Sequence, residues 1–273
     1  MFKKYGVLGI ILIILVEINF FFKIQPFANW YFPIVWFSYI LVIDALVYKV
    51  RGRSLISNHF FTFLSLFLLS IITWNVINWL AQFAHNWSYV QIQIQGVTLL
   101  QALKDSTILP ALFETFELVR SVHLFDKVKL RKKHNISKAT IYVMISFGVI
   151  SFFLPIIFPR YAFPLVWLSF FLILDPINYL HKQPSIIQHL KDRKLVIPLS
   201  LLLAGIILGF LWEFWNYWAI PKWIYDIPFL GFFKIFEMPI LGYLGYFPFS
   251  FELYSMYWFI KSLFSKEERL LIN

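Results

Sequence analysis

The run Tyr31-Phe32-Pro33-Ile34-Val35-Trp36, continued by Asp44 and Tyr48, returns as Ala162-Phe163-Pro164-Leu165-Val166-Trp167 with Asp175 and Tyr179, every position displaced by 131. Each occurrence opens an apolar stretch, 31–49 and 162–180. Both are close to the ~20 residues a helix needs to cross the ~30 Å hydrocarbon core of a bilayer. Two readings start from this stretch: the chain spans a membrane, and it holds two copies of one unit.

Further matches support duplication. Trp74 and Asn78 correspond to Trp212 and Asn216, Trp87-x-Tyr89 to Trp223-x-Tyr225, Gly96 to Gly231, and Phe116-Glu117-Leu118 to Phe251-Glu252-Leu253. The separations drift only by a few residues between blocks, as insertions in loops produce. The units are 1–125 and 139–273, joined by a basic linker, 126–138.

Composition agrees with the membrane reading. Of 273 residues 60% are hydrophobic and 14% charged, with a mean hydropathy of +0.73, where soluble domains carry about 25% charge. There is no Cys, which excludes disulfides, thiol catalysis and thiolate metal sites. The net charge of +10 sits between apolar stretches, a distribution that fits anionic lipid and argues against a nucleic-acid partner.

The apolar stretches run over 5–23, 31–49, 60–84, 107–125, 139–158, 162–180, 195–219 and 239–260. The expected fold is all-α and polytopic, with about eight transmembrane helices. The first stretch follows Lys3-Lys4 and runs into Glu17 and Lys23 with no small-residue cleavage site, so it reads as a retained helix. With the N-terminus inside, only Lys23, Lys104, Arg160, Lys222 and Lys234 of the 24 Lys and Arg residues fall outside. That asymmetry predicts both termini in the cytoplasm, and the absence of Cys and the compact loops fit a prokaryotic cytoplasmic membrane. Four spans per copy make the copies parallel, related by an axis along the membrane normal, with the site at their interface.

A carboxyl in hydrocarbon costs at least ~2.5 kcal/mol unless it faces protein or water, so each intramembrane acid needs a reason. The candidates for catalysis are Glu252, Glu213, Glu117, Asp175 and Asp44. Glu117 and Arg120 are three apart and read first as an ion pair. Asp44 and Asp175 read equally as partners of basic residues at the inner surface. Glu252 has no base within a turn, and a carboxyl without a cation is cheapest in the neutral form that a proton donor needs. Glu213 and Asn216 share a helix face inside Trp212-Glu213-Phe214-Trp215-Asn216-Tyr217-Trp218. The expected binding residues are Trp212, Trp215, Asn216, Tyr217, Trp223, Tyr225, Trp74 and Asn78, although any one aromatic at a helix end also reads as part of an interfacial belt. The six His residues show no metal-ligand spacing, and no phosphate-binding loop, nucleophile elbow or dinucleotide fingerprint occurs. No metal or cofactor is expected.

The order Asp175-Pro176, Trp212, Trp223-x-Tyr225, Ile227-Pro228 and an acidic helix resembles membrane carotenoid cyclases and hydratases. The lycopene cyclases of that group are likewise built from two related small helical domains. Their Pro-Leu-Glu-Glu signature is absent; the nearest stretch, Phe236-Glu237-Met238-Pro239, carries its acid before the proline. The resemblance implies an isoprenoid lipid substrate, protonation of a double bond by a carboxylic acid, and aromatic faces that stabilise the carbocation. Glu252 or Glu213 would be the acid, with Trp212, Trp215, Tyr217 and Trp223 lining the pocket. The alternatives are a carrier for protons, lipid or small solutes with its site between the repeats, and a non-catalytic subunit of a membrane complex. A homo-oligomer is compatible with each.

Overall fold

The computed structural model describes residues 1–83, 87–90, 97–132, 135–227 and 231–264. Gly96, Pro228 and part of the linker 126–138, used in the sequence reading, lie outside these. The chain is 75% helical. Its elements are α1 (Lys4–Phe22), α2 (Tyr31–Arg51), α3 (Leu55–Asn58), α4 (Phe60–Ala81), β1 (Trp87–Val90), α5 (Val97–Ser106), α6 (Ile108–Ser121), α7 (Lys138–Ile157), α8 (Pro159–Ala162), α9 (Val166–Leu180), α10 (Ile186–Lys191), α11 (Val196–Trp218), β2 (Lys222–Tyr225), β3 (Lys234–Ile235), β4 (Met238–Pro239) and α12 (Tyr246–Phe264).

Among the described residues, six helices are long and apolar enough to cross a membrane: Lys4–Phe22, Tyr31–Arg51, Phe60–Leu80, Lys138–Ile157, Pro159–Leu180 and Val196–Trp218. They match six of the eight expected stretches. The fourth and eighth differ. The stretch 107–125 is the short helix α6, only ~21 Å long at 1.5 Å per residue, preceded by α5, which the sequence reading left in an outer loop. The stretch 239–260 begins as a 3-10 segment, Ile240–Gly245, and becomes helical only at Tyr246. Helix α6 is buried along most of its length and α12 through its middle, Phe249 to Trp258. An element wrapped by other helices need not be apolar all round, which is why Glu, Ser, Tyr and Arg accumulate there.

Contacts at the helix ends sort the molecule into two faces. On one, Arg51 at the end of α2 pairs with Glu117 of α6 at 2.8 Å. Nearby, the Leu130 amide donates to the Arg193 carbonyl at 3.3 Å, and His189 of α10 meets the Tyr254 hydroxyl of α12 at 3.2 Å. The C-terminal ends of α2 and α6 and the start of α11 therefore share this face. At the other ends of α4 and α11, β1 pairs antiparallel with β2, Trp87 opposite Tyr225 and Tyr89 opposite Trp223. A second short pair, β3–β4, precedes the 3-10 segment. The all-α expectation did not include these strands.

Candidate functional site

A cavity of about 380 Å³ lies between the two halves of the chain. Phe32 of α2, Trp74 of α4 and α5 face it from the first half; Phe163 and Trp167, Trp212 of α11, β2 and the start of α12 face it from the second. Its walls are aromatic because these helices present rings where they converge. Trp74 stacks on Trp167 at 6.5 Å, Trp212 stacks on Tyr246 at 6.2 Å, and Phe249 meets Trp74, Trp167 and Trp212 edge-on at 6.1, 5.2 and 5.7 Å.

Two carboxyl-centred groups stand at this chamber. Glu213, fully buried on α11, stands behind the wall: its Oε1 accepts from the Tyr225 hydroxyl at 2.8 Å and the Tyr246 hydroxyl at 2.7 Å. Both tyrosines line the cavity. The Trp223 indole donates to the Tyr225 oxygen at 2.7 Å, so Glu213 reaches the chamber through phenol hydroxyls. Asn216, one turn along the same face, holds this arrangement. It donates to the Trp223 carbonyl and accepts from the Trp223 amide, both at 2.9 Å, fixing β2 against α11. The shared face expected for Glu213 and Asn216 thus carries a carboxyl bonded to two cavity-lining tyrosines and an amide that fixes β2.

The second group lies on α5. Gln101, Lys104 and Asp105 line one corner of the cavity, and Gln101 Nε2 donates to Asp105 Oδ1 at 2.7 Å. This corner is held by the break between α5 and α6. Ser70 of α4 donates to the Asp105 carbonyl and accepts from the Leu109 amide at 3.1 Å, satisfying backbone groups that the break frees. The sequence reading missed these residues. Lys104, counted on the outer side of the membrane, is only 7% exposed, and its ammonium stands 5.8 Å from the Phe32 ring. The available signal was the i,i+4 pair Gln101–Asp105, which shares one helix face.

The other candidate acids stand apart from the cavity lining. Asp44 accepts from Tyr5, from Ser54 at 2.8 Å and from the Ile56 amide at 2.9 Å, holding the N-terminus of α3. Asp175 does the same for α10, accepting from the Ile186 and Ile187 amides at 2.7 and 3.0 Å and from Ser255 at 3.2 Å. Among the described residues neither forms an ion pair, so pairing with inner-surface bases is replaced by capping, the use a carboxylate finds wherever a helix start leaves amides unbonded. Glu117 pairs with Arg120 at 3.1 Å as expected and also with Arg51. Glu252 is fully buried, with one oxygen 3.3 Å from the Phe170 amide.

The expected binding residues divide likewise. Trp74, Trp212, Trp223 and Tyr225 line the cavity. Trp215 instead packs on Trp36 and donates to Glu17 at 3.2 Å, an acid that also accepts from Tyr31 at 3.0 Å. Tyr217 is 40% exposed with the Lys222 ammonium over its ring at 4.8 Å, and Asn78 stands half-buried on α4 away from the lining. Among the described residues, no group of three or more His, Asp or Glu is arranged to hold a metal. No protein-family model, curated protein or solved structure matches this chain.

Proposed function

We propose that this chain is a multi-pass membrane enzyme that converts an isoprenoid-type lipid by acid-initiated carbocation chemistry, a cyclisation or hydration. The observation that carries the reading is the chamber itself: four tryptophans and several Phe and Tyr rings around about 380 Å³, with a carboxyl at one corner and a tyrosine-linked carboxyl behind the wall. A ring face attracts a cation by ~2 kcal/mol or more when both are desolvated, and a dry aromatic chamber also keeps water from quenching the cation early.

In this reading Asp105 is the acid. Gln101 occupies its Oδ1, leaving Oδ2 to carry the proton. The proton passes to a substrate double bond, whose electron pair forms the new C–H bond and leaves a cation on the adjacent carbon. A second double bond or a water then supplies electrons to that cation. The surplus proton goes to Tyr246 or Tyr225 as the phenol passes its own proton to Glu213.

The membrane arrangement belongs to the same proposal: eight crossings, two parallel four-helix repeats, and both termini inside. Several matched positions support it. Asp44 and Asp175 cap α3 and α10 alike, Ser54 and Ser185 cap the same two helices, Phe32 with Phe163 and Trp74 with Trp212 face one cavity, and the two Trp-x-Tyr segments pair with each other. Antiparallel pairing of equivalent strands is what a two-fold axis along the membrane normal produces.

The test is to purify the protein from its native membrane in mild detergent and identify co-purifying lipids by mass spectrometry, beside Asp105→Asn and Glu213→Gln. An isoprenoid product in wild type, with its acyclic or unhydrated precursor accumulating in either variant, supports the enzyme. Phospholipid alone in all samples counts against it. One observation favours a carrier instead: the break between α5 and α6 beside the cavity, since broken helices also build transport sites. A carrier would move substrate across proteoliposomes unchanged.

A further inference from the structure

The linker between the two halves is folded back onto a second basic segment. Residues 126–132 carry Lys127, Lys129, Arg131 and Lys132 beside one acid, Asp126, and the turn 192–194 carries Arg193 and Lys194 beside Asp192. Backbone contacts join the two. Lys129 pairs with Lys194 in an isolated antiparallel bridge. The Leu130 amide donates to the Arg193 carbonyl at 3.3 Å, and Arg193 Nε donates to the Leu130 carbonyl at 2.7 Å. The Lys194 amide bonds the His189 carbonyl at 2.9 Å, which ties this clasp to α10.

The register of the bridge has an electrostatic consequence. Residues directly opposite in an antiparallel pair stand on one side of the ladder, with Cβ atoms about 4.5–5.5 Å apart, and like charges there repel. Lys129 and Lys194 are both exposed. Among the described residues, none of the six basic side chains forms an ion pair. The two acids are engaged elsewhere: Asp126 is bonded to His123 at 2.6 Å, and Asp192 accepts from Gln188 at 2.9 Å. A backbone that holds two ammonium groups together in this way is stabilised by an anion placed between them.

Two features specify what that anion is attached to. Lys194 stands two residues before Val196, where a helix long and apolar enough to cross a membrane begins, so the clasp lies at the level of lipid headgroups. Along the linker, Val122, Leu124 and Val128 are 59%, 59% and 40% exposed. Apolar side chains interleaved with cations at this level are what an interfacial segment presents to lipid. A soluble anion has no use for them.

We infer that the Lys129–Lys194 clasp binds the headgroup of an anionic phospholipid and prefers a lipid with two phosphates to a lipid with one. The two ammonium groups donate to phosphate oxygens, the exposed apolar residues of the linker enter the acyl region beside them, and the lipid fastens the linker to the second half. The inference needs the chain to lie in a bilayer. It is independent of the chemistry of the chamber and of which side faces the cytoplasm.

The experiment is a native mass spectrometry titration of the full chain in neutral detergent with cardiolipin, phosphatidylglycerol and phosphatidylcholine. Wild type is run beside Lys129→Gln/Lys194→Gln and a control, Lys23→Gln/Lys234→Gln, which removes the same charge at exposed positions elsewhere. Wild type should bind cardiolipin at least about tenfold more tightly than phosphatidylcholine, with phosphatidylglycerol between them. The clasp variant should lose that preference several-fold, and the control should keep it. Thermal melting separates this loss from a folding defect. Without lipid the clasp variant should melt no lower than wild type, because a repulsion has been removed. Added cardiolipin should then raise the melting temperature of wild type and control more than that of the clasp variant. Equal affinity for the three lipids in wild type, an unchanged preference in the clasp variant, or a clasp variant that melts lower without lipid overturns the inference. Inorganic pyrophosphate that displaces cardiolipin at equal concentration overturns it as well, by showing a site for soluble anions. None of these outcomes bears on the isoprenoid reading of the chamber.

Discussion

Gly209 lies four residues before Glu213 on α11 and lets the ring of Tyr246 lie flat against the helix; a Cβ at this position would overlap that ring. The close approach is what brings the Tyr246 hydroxyl to 2.7 Å from Glu213. Gly209→Ala should therefore push the ring away, break that bond and destabilise the protein by about 1–3 kcal/mol, as overpacking does. Activity should fall further than in Tyr246→Phe, which loses the hydroxyl and keeps the ring; thermal melting in detergent and product formation measure the two effects. A different residue carries the pH response. His189, on the short helix α10 outside the spans, is held by burial well below its ordinary value, to about 4, and bonds the Tyr254 hydroxyl. Asp192, Lys194 and Arg120 also act on it. Because this imidazole binds a proton near pH 6.5 in the unfolded chain and not until about pH 4 in the folded one, the stability that His189 contributes is full above pH 6.5 and declines as pH falls through that window. The loss is on the order of 1–2 kcal/mol, discounted for the part of the ring that reaches solvent. His189→Gln should flatten the pH dependence of the melting temperature between pH 4 and 6.5, and an unchanged slope would exclude His189 as its source.

Ser70 shows how one helix sets the geometry of another. Its hydroxyl bridges the Asp105 carbonyl and the Leu109 amide across the α5–α6 break, so Ser70→Ala leaves two buried backbone groups without partners. A cost of about 1–3 kcal/mol is expected. Ser70→Thr should recover part of it, while catalytic turnover in Ser70→Ala falls because Asp105 is no longer fixed; a variant of wild-type stability would show that the break is held by other contacts. This element is also where sequence reasoning stopped. The long lipid-facing helices were legible within a few residues because their apolar content is uniform and the bilayer sets their length. Residues 97–106 carry polar side chains for the cavity and meet no such constraint, so they read as loop. Glu213 with Trp212, Trp223 and Tyr225 was legible because a carboxyl among aromatics in a span demands a reason. The capping roles of Asp44 and Asp175 were not, since the amides they bind lie about twelve residues away, across a turn whose direction only the folded chain fixes. Four-residue strands likewise give too short a period to be told from loop, although the Trp-x-Tyr match marked the segments that pair.

At the scale of the whole molecule, the number of crossings is decided by the two interior elements. Between Arg53 and Lys127 lie α4 and the broken pair α5–α6. Crossing by α4 alone would put these two residues on opposite sides of the membrane, whereas crossing by both brings them to the same side. The 2.8 Å pair between Arg51 and Glu117, near the ends of α2 and α6, favours the second arrangement. Lys234, beyond α11 and on the strand β3, then lies on the opposite side. The absence of Cys makes the question direct: Arg53→Cys, Lys127→Cys and Lys234→Cys each introduce the sole thiol, at an exposed position. With a membrane-impermeant maleimide on intact cells, Lys234→Cys should label at once, and the other two only after lysis. The same pattern bears on α6, which carries Glu114, Glu117 and Arg120: it packs against α2, α4 and α11, and Glu117 pairs there with Arg51 and Arg120, so a crossing by α6 would meet protein and not lipid. Labelling of Lys127→Cys from outside would remove α5–α6 as a crossing, leave seven, and with it dissolve the parallel relation of the halves on which a shared chamber between repeats depends.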